Sequence, residues 1–111
     1  MTFNDIEMAQ IKRCMDFFME KRRPPEFVRD EVDLRYRIWG LNVIIYKIWY
    51  IDFRGYESPI AKITLNRAEC SWKLFWMNQS DEWVTDIKNP IQSFSDAISM
   101  VENDARGCFF K

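Results

Sequence analysis

The sequence predicts an α+β domain of two layers: an N-terminal helix, an antiparallel meander sheet of four or five strands, and a C-terminal helix. Three observations predict it. An apolar period near 3.6 runs from Met8 to Phe18, a period of two takes over at Val32, and the helical period returns between Phe94 and Val101. The 111 residues make one folded unit, residues 1–111, because about 100 to 150 residues is the usual size of a domain. Area scaling gives roughly 6,500 Å² of accessible surface for the folded chain against roughly 19,600 Å² unfolded, so no disulfide or metal staple is needed.

The first helix has a complete start signal. Asn4 is the cap, Glu7 three residues later closes a capping box, and Phe3 is placed to staple onto Met8. Met8, Ile11, Met15 and Phe18, joined by Cys14, form one apolar stripe opposite Lys12, Arg13, Asp16 and Glu20. Lys21-Arg22-Arg23 sets cations against the exposed carbonyls of the last turn, and Pro24-Pro25 removes the amides that continuation needs.

Val32, Leu34, Tyr36 and Ile38 then alternate with Asp33, Arg35, Arg37 and Trp39, the pattern of a half-buried strand. Gly40-Leu41-Asn42 reads as a three-residue loop, which sets Ile38 against Ile44, Tyr36 against Tyr46, Leu34 against Ile48 and Val32 against Tyr50. In that register Arg35, Arg37 and Trp39 share the reverse face with Lys47 and Trp49. A loop around Arg54-Gly55-Tyr56 leads through Pro59 to a third strand at Ile60 to Leu65, and a fourth follows at Ser71 to Met77. Asn78-Gln79-Ser80-Asp81 turns the chain into a short fifth strand at Glu82 to Thr85. After Pro90, Ser93 caps a second helix carrying Phe94, Ala97, Ile98 and Val101, which Gly107 ends, and the apolar tail Cys108-Phe109-Phe110 docks back.

Composition narrows the function. There is no His, which excludes Ser-His-Asp and Cys-His nucleophile pairs and every His-containing metal site. The three cysteines, Cys14, Cys70 and Cys108, lie far apart with no C-x-x-C pair, so they read as free thiols of a cytoplasmic protein. The start, with Asp5 and Glu7, is not a secretory signal, and the apolar runs Val43 to Tyr46 and Ile48 to Ile51, split by Lys47, fall far short of a membrane span. No cofactor and no metal are expected, and the chain is not read as an enzyme.

Several segments in order carry a resemblance: Arg22-Arg23-Pro24-Pro25, Val28-Arg29-Asp30, Asp33-Leu34-Arg35-Tyr36-Arg37-Ile38 with Gly40, Pro59-Ile60-Ala61-Lys62, Trp72-Lys73-Leu74-Phe75-Trp76, Trp83, and Gly107-Cys108-Phe109-Phe110. The chain resembles, over nearly its whole length, a family of small bacterial proteins catalogued as a domain of unknown function, with R-x-P-P near the start, a W-x-L-[YF]-W strand and a G-x-F end. The resemblance implies a fold and a bacterial setting, and no chemistry.

Two candidate surfaces emerge from the residues. The face expected to carry Arg35, Arg37, Trp39, Lys47 and Trp49 combines the residue types enriched at protein hot spots, and the leading reading is a protein-binding adaptor or regulatory module. The alternative is nucleic-acid binding by that face with the basic turn at Lys21, Arg22, Arg23 and Arg29, although a net charge of −1 disfavours a phosphate backbone. The bland reading of Arg35 and Arg37 is pairing with acids such as Asp33, and Asp86-Ile87-Lys88 lacks the upstream acid a metal-dependent nuclease needs. Trp72 and Trp76 occupy one strand face and Phe75 and Met77 the other, and one helix cannot cover both. Either the second helix takes the reverse face, or that face meets a second copy or a partner.

Overall fold

Asn4 opens helix α1 (Asp5–Arg22) with the expected capping box: its side chain accepts the Glu7 amide at 2.8 Å, and the Glu7 carboxylate accepts the Asn4 amide at 2.9 Å. Both amides would otherwise lack partners at a helix start. The structure, a computed structural model, describes residues 1–110. Ile11, Met15 and Phe18 are buried on the inner stripe, and Phe3 stacks on Trp72 with ring centroids 5.8 Å apart. The helix ends at Arg22, as the two prolines require, and a 3₁₀ turn at Glu26–Val28 leads to the sheet.

The sheet is a five-stranded antiparallel meander in the order β1 (Val32–Trp39), β2 (Asn42–Ile51), β3 (Arg54–Asn66), β4 (Ser71–Met77) and β5 (Trp83–Val84). Helix α2 (Phe94–Asn103) follows, with the Ser93 hydroxyl accepting the Asp96 amide. Both helices lie on one side of the sheet, α1 beside β1 and α2 against β3 and β4. They enclose Leu34, Val43, Ile45, Ala61, Ile63 and Leu74, and the tail completes that core: Phe110 stacks on Phe18, and Phe109 meets Trp76 edge-on.

Three expectations are corrected. The first hairpin has a two-residue loop, not three: Trp39 pairs with Asn42 and Ile38 with Val43. Gly40, at φ +60°, takes the first central position, where a tight hairpin turn needs a left-handed residue. Since the side-chain period is two, the one-residue slip carries β2 to the other face. Ile45 and Val43 point inward with Leu34 and Tyr36, and Ile44, Tyr46 and Ile48 point outward.

Arg54-Gly55-Tyr56 is strand and not loop, because the chain reverses over Asp52-Phe53 alone. A glycine suits the strand there, since a Cβ on Gly55 would sit 3.2 Å from Ile48 and 3.3 Å from the Tyr50 ring. Pro59 has no amide for the ladder, and next to it β3 bulges, so that consecutive Ile60 and Ala61 are both buried. The second helix ends at Asn103, before Gly107. Asp104 takes the left-handed cap at φ +41°, and its carboxylate accepts the amides of Phe109 and Phe110 at 3.1 and 2.9 Å, which folds the tail inward.

Candidate binding face

With both helices on one side, neither helix covers the reverse face of the sheet, which is bare among the described residues except at its Asp33 and Ile48 end, where both side chains are buried. The accessible surface is 7570 Å², above the roughly 6,500 Å² that size alone predicts, in keeping with an elongated two-layer molecule of 45 × 32 × 25 Å. Ile44, Tyr46 and Phe75 lie half-buried along its middle and Trp39 stands 73% exposed at one corner. Cations cover the rings. The Arg37 guanidinium sits 4.3 Å from the Tyr46 ring centroid, and the Lys62 ammonium bridges Phe75 at 4.8 Å and Trp83 at 5.2 Å.

On the bare face the four long strands carry Arg35, Arg37, Lys62 and Lys73 against only Asp33 and Glu57, while Lys47 and Arg54 lie on the helix side. Both acids are spent internally. Glu57 accepts two hydrogen bonds from Arg37 Nη2, at 2.8 and 2.9 Å. Asp33 is 1% exposed and takes Arg23 in a two-pronged pair, 2.9 Å on each oxygen, with Arg35 Nε at 3.4 Å and the Leu34 amide at 2.8 Å. The Arg23 hydrogen bonds, more than any other cause, hold this carboxyl down at about 2, with the Leu34 amide and Arg35 assisting against burial.

The five residues expected on one face are divided by the register. Arg35, Arg37 and Trp39 share the bare face, paired with Tyr46, Ile44 and Asn42, whereas Lys47 and Trp49 pair with Leu34 and Val32 on the helix side. There Lys47 lies 5.9 Å over Trp49, which stacks on Tyr56. The pairing of Arg35 with Asp33 is the one the bland reading names.

The basic turn is divided too. Lys21 pairs with the Glu102 carboxylate at 3.2 Å, and Arg22 donates to the Glu102 carbonyl and lies over Phe110, so both tie α1 to α2 and the tail. Arg23 and Arg29 face the other way, toward the β2–β3 hairpin. Asp86 of the D-x-K segment is held by Arg106 through two bonds of 2.6 Å, and that guanidinium covers Trp76. All three cysteines are free, and burial pushes the Cys14 thiol up.

Tyr46, Lys62, Phe75 and Trp83 were missed as members of this face. The signal that could have found them is the Lys62 and Phe75 alternation on adjacent strands, which speaks only once the register is known.

These features define a class: a two-layer α+β domain with an open, cationic and aromatic sheet face. The chain belongs to a family described as a domain of unknown function, DUF3024, whose profile matches residues 3–111. No curated protein and no solved structure matches this chain. No helix among the described residues is long and apolar enough to cross a membrane.

Proposed function

We propose that this protein is a non-enzymatic binding module that engages an acidic segment of a partner protein through the bare face of its sheet. The observation that carries the reading is the asymmetry of charge: the chain totals −1, yet the bare face holds Arg35, Arg37, Lys62 and Lys73 against Asp33 and Glu57, and both of those acids are already paired. Such a face steers an acidic partner and disfavours a basic one. The half-buried rings beneath the cations supply apolar contact area once a partner excludes water. A cytoplasmic setting accords with the three free thiols.

The test is affinity capture from lysate at low salt, with and without nuclease, using the wild type and an Arg37→Glu/Lys62→Glu double variant. A protein retained after nuclease by the wild type, and lost in the double variant, is the expected result. Capture of nucleic acid alone, abolished by nuclease, would replace this reading with the nucleic-acid one. Retention of the same proteins by both forms would move the site off this face.

A further inference from the structure

Beyond that reading, a shallow, open cleft of about 840 Å³ lies at the end of the same sheet face, where β1 begins and the β2–β3 hairpin ends. Its floor is the buried Asp33, which locks the guanidiniums of Arg23 and Arg35 in place. Arg23 spends Nε and one Nη2 hydrogen on Asp33, and Arg35 spends Nε on Asp33 and one Nη2 hydrogen on the Tyr50 hydroxyl at 3.4 Å. Arg29, on the same cleft, spends Nε on the Pro24 carbonyl at 2.9 Å. Each guanidinium has five N–H groups, so all three keep their Nη1 hydrogens unspent. The cleft holds a surplus of pre-oriented donors, the arrangement that suits a multi-oxygen anion such as phosphate.

The hairpin tip adds an independent observation. Asp52 and Phe53 both have positive φ, +51° and +65°, in a two-residue loop that favours Asp-Gly. A bulky ring in left-handed backbone is strained relative to glycine, and Phe53 is fully exposed, so no burial in the fold offsets that strain. Phe53 nevertheless lines the cleft. Two carboxylates, Asp30 and Asp52, line the rim and are acceptors suited to the hydroxyl and amino donors of a ligand.

We infer that this cleft binds a nucleoside phosphate, with the phosphate on Arg23, Arg29 and Arg35 and the base against the exposed ring of Phe53. The rim acids select a ligand that carries hydroxyl and amino donors as well as an anion. A bare phosphate or a ring without such donors meets only part of the site.

The test is titration of the full chain, by calorimetry and by amide chemical shifts, with AMP, ribose 5-phosphate and phosphotyrosine. AMP is expected to saturate the site and to bind roughly tenfold tighter than ribose 5-phosphate, the scale of one base stacked on an aromatic ring. Phe53→Gly should remove that preference, and because it relieves the turn the variant folds at least as well as the wild type. Arg29→Gln should weaken all phosphate ligands. The inference is overturned by the absence of saturable AMP binding up to about 10 mM, by equal affinity for AMP and ribose 5-phosphate, by tighter binding of phosphotyrosine than AMP, or by unchanged affinity in Arg29→Gln.

Discussion

Replacing Asp33 by Asn keeps the shape and the acceptor for the Leu34 amide but removes the charge that Arg23 grips at 2.9 Å on both oxygens. The pair's worth follows from the carboxyl itself: a drop from 3.8 to about 2 is linked to about 2.4 kcal/mol of stability. Arg23 and Arg35 are 39% and 49% exposed, so solvent screening reduces this to about 1.5 kcal/mol. The sign follows from a carboxyl lowered on folding. Its contribution is complete above about pH 5 and is lost as pH falls through 4 toward 2. Urea denaturation followed by tryptophan fluorescence should therefore place Asp33→Asn about 1.5 kcal/mol below the wild type at pH 7. At pH 2 the two should agree within about 0.5 kcal/mol. A gap that is the same at both pH values would refute the ion pair as its origin and assign the loss to packing.

Three further outcomes follow from named contacts. Asp104→Gly should destabilise by about 1 kcal/mol despite suiting the left-handed φ of +41°, because it removes the acceptor for the Phe109 and Phe110 amides; chemical denaturation reads this, and a gain in stability would show the tail bonds to be idle. Phe110→Ala should cost about 2 kcal/mol through lost contact with Phe18 and Arg22, and amide hydrogen exchange should rise at the C-terminal end of α1 first. Gly40→Ala should lower stability by about 1 kcal/mol from backbone strain alone, since its Cβ would meet nothing closer than 3.6 Å; thermal unfolding gives the number.

The fold class was legible because its signals are local. Asn4 with Glu7, Pro24-Pro25 and Ser93 each act within a few residues, and the alternation from Val32 to Trp39 needs no partner to be read. The composition of the bare face was legible only in part because it depends on register, and one residue in the Gly40-Leu41 loop decides whether Lys47 and Trp49 join Arg35 and Arg37 or turn their backs on them. Glycine misled twice: Gly55 sits inside a strand under Tyr50, and the cap expected of Gly107 belongs to Asp104. Asp33 looked like an outward acid on an alternating strand. Its burial comes from Arg23, ten residues earlier, and no local pattern announces a partner at that separation.

The sharpest test of the central claim, that the bare sheet face is the working surface, is hydroxyl-radical footprinting of the free protein and of its captured complex. Trp39, Tyr46, Phe75 and Trp83 should lose reactivity on binding, while Ile6 and Phe17 on the helix layer keep theirs. Protection of Ile6 and Phe17 with the four rings unchanged would contradict the account and move the working surface to the helices.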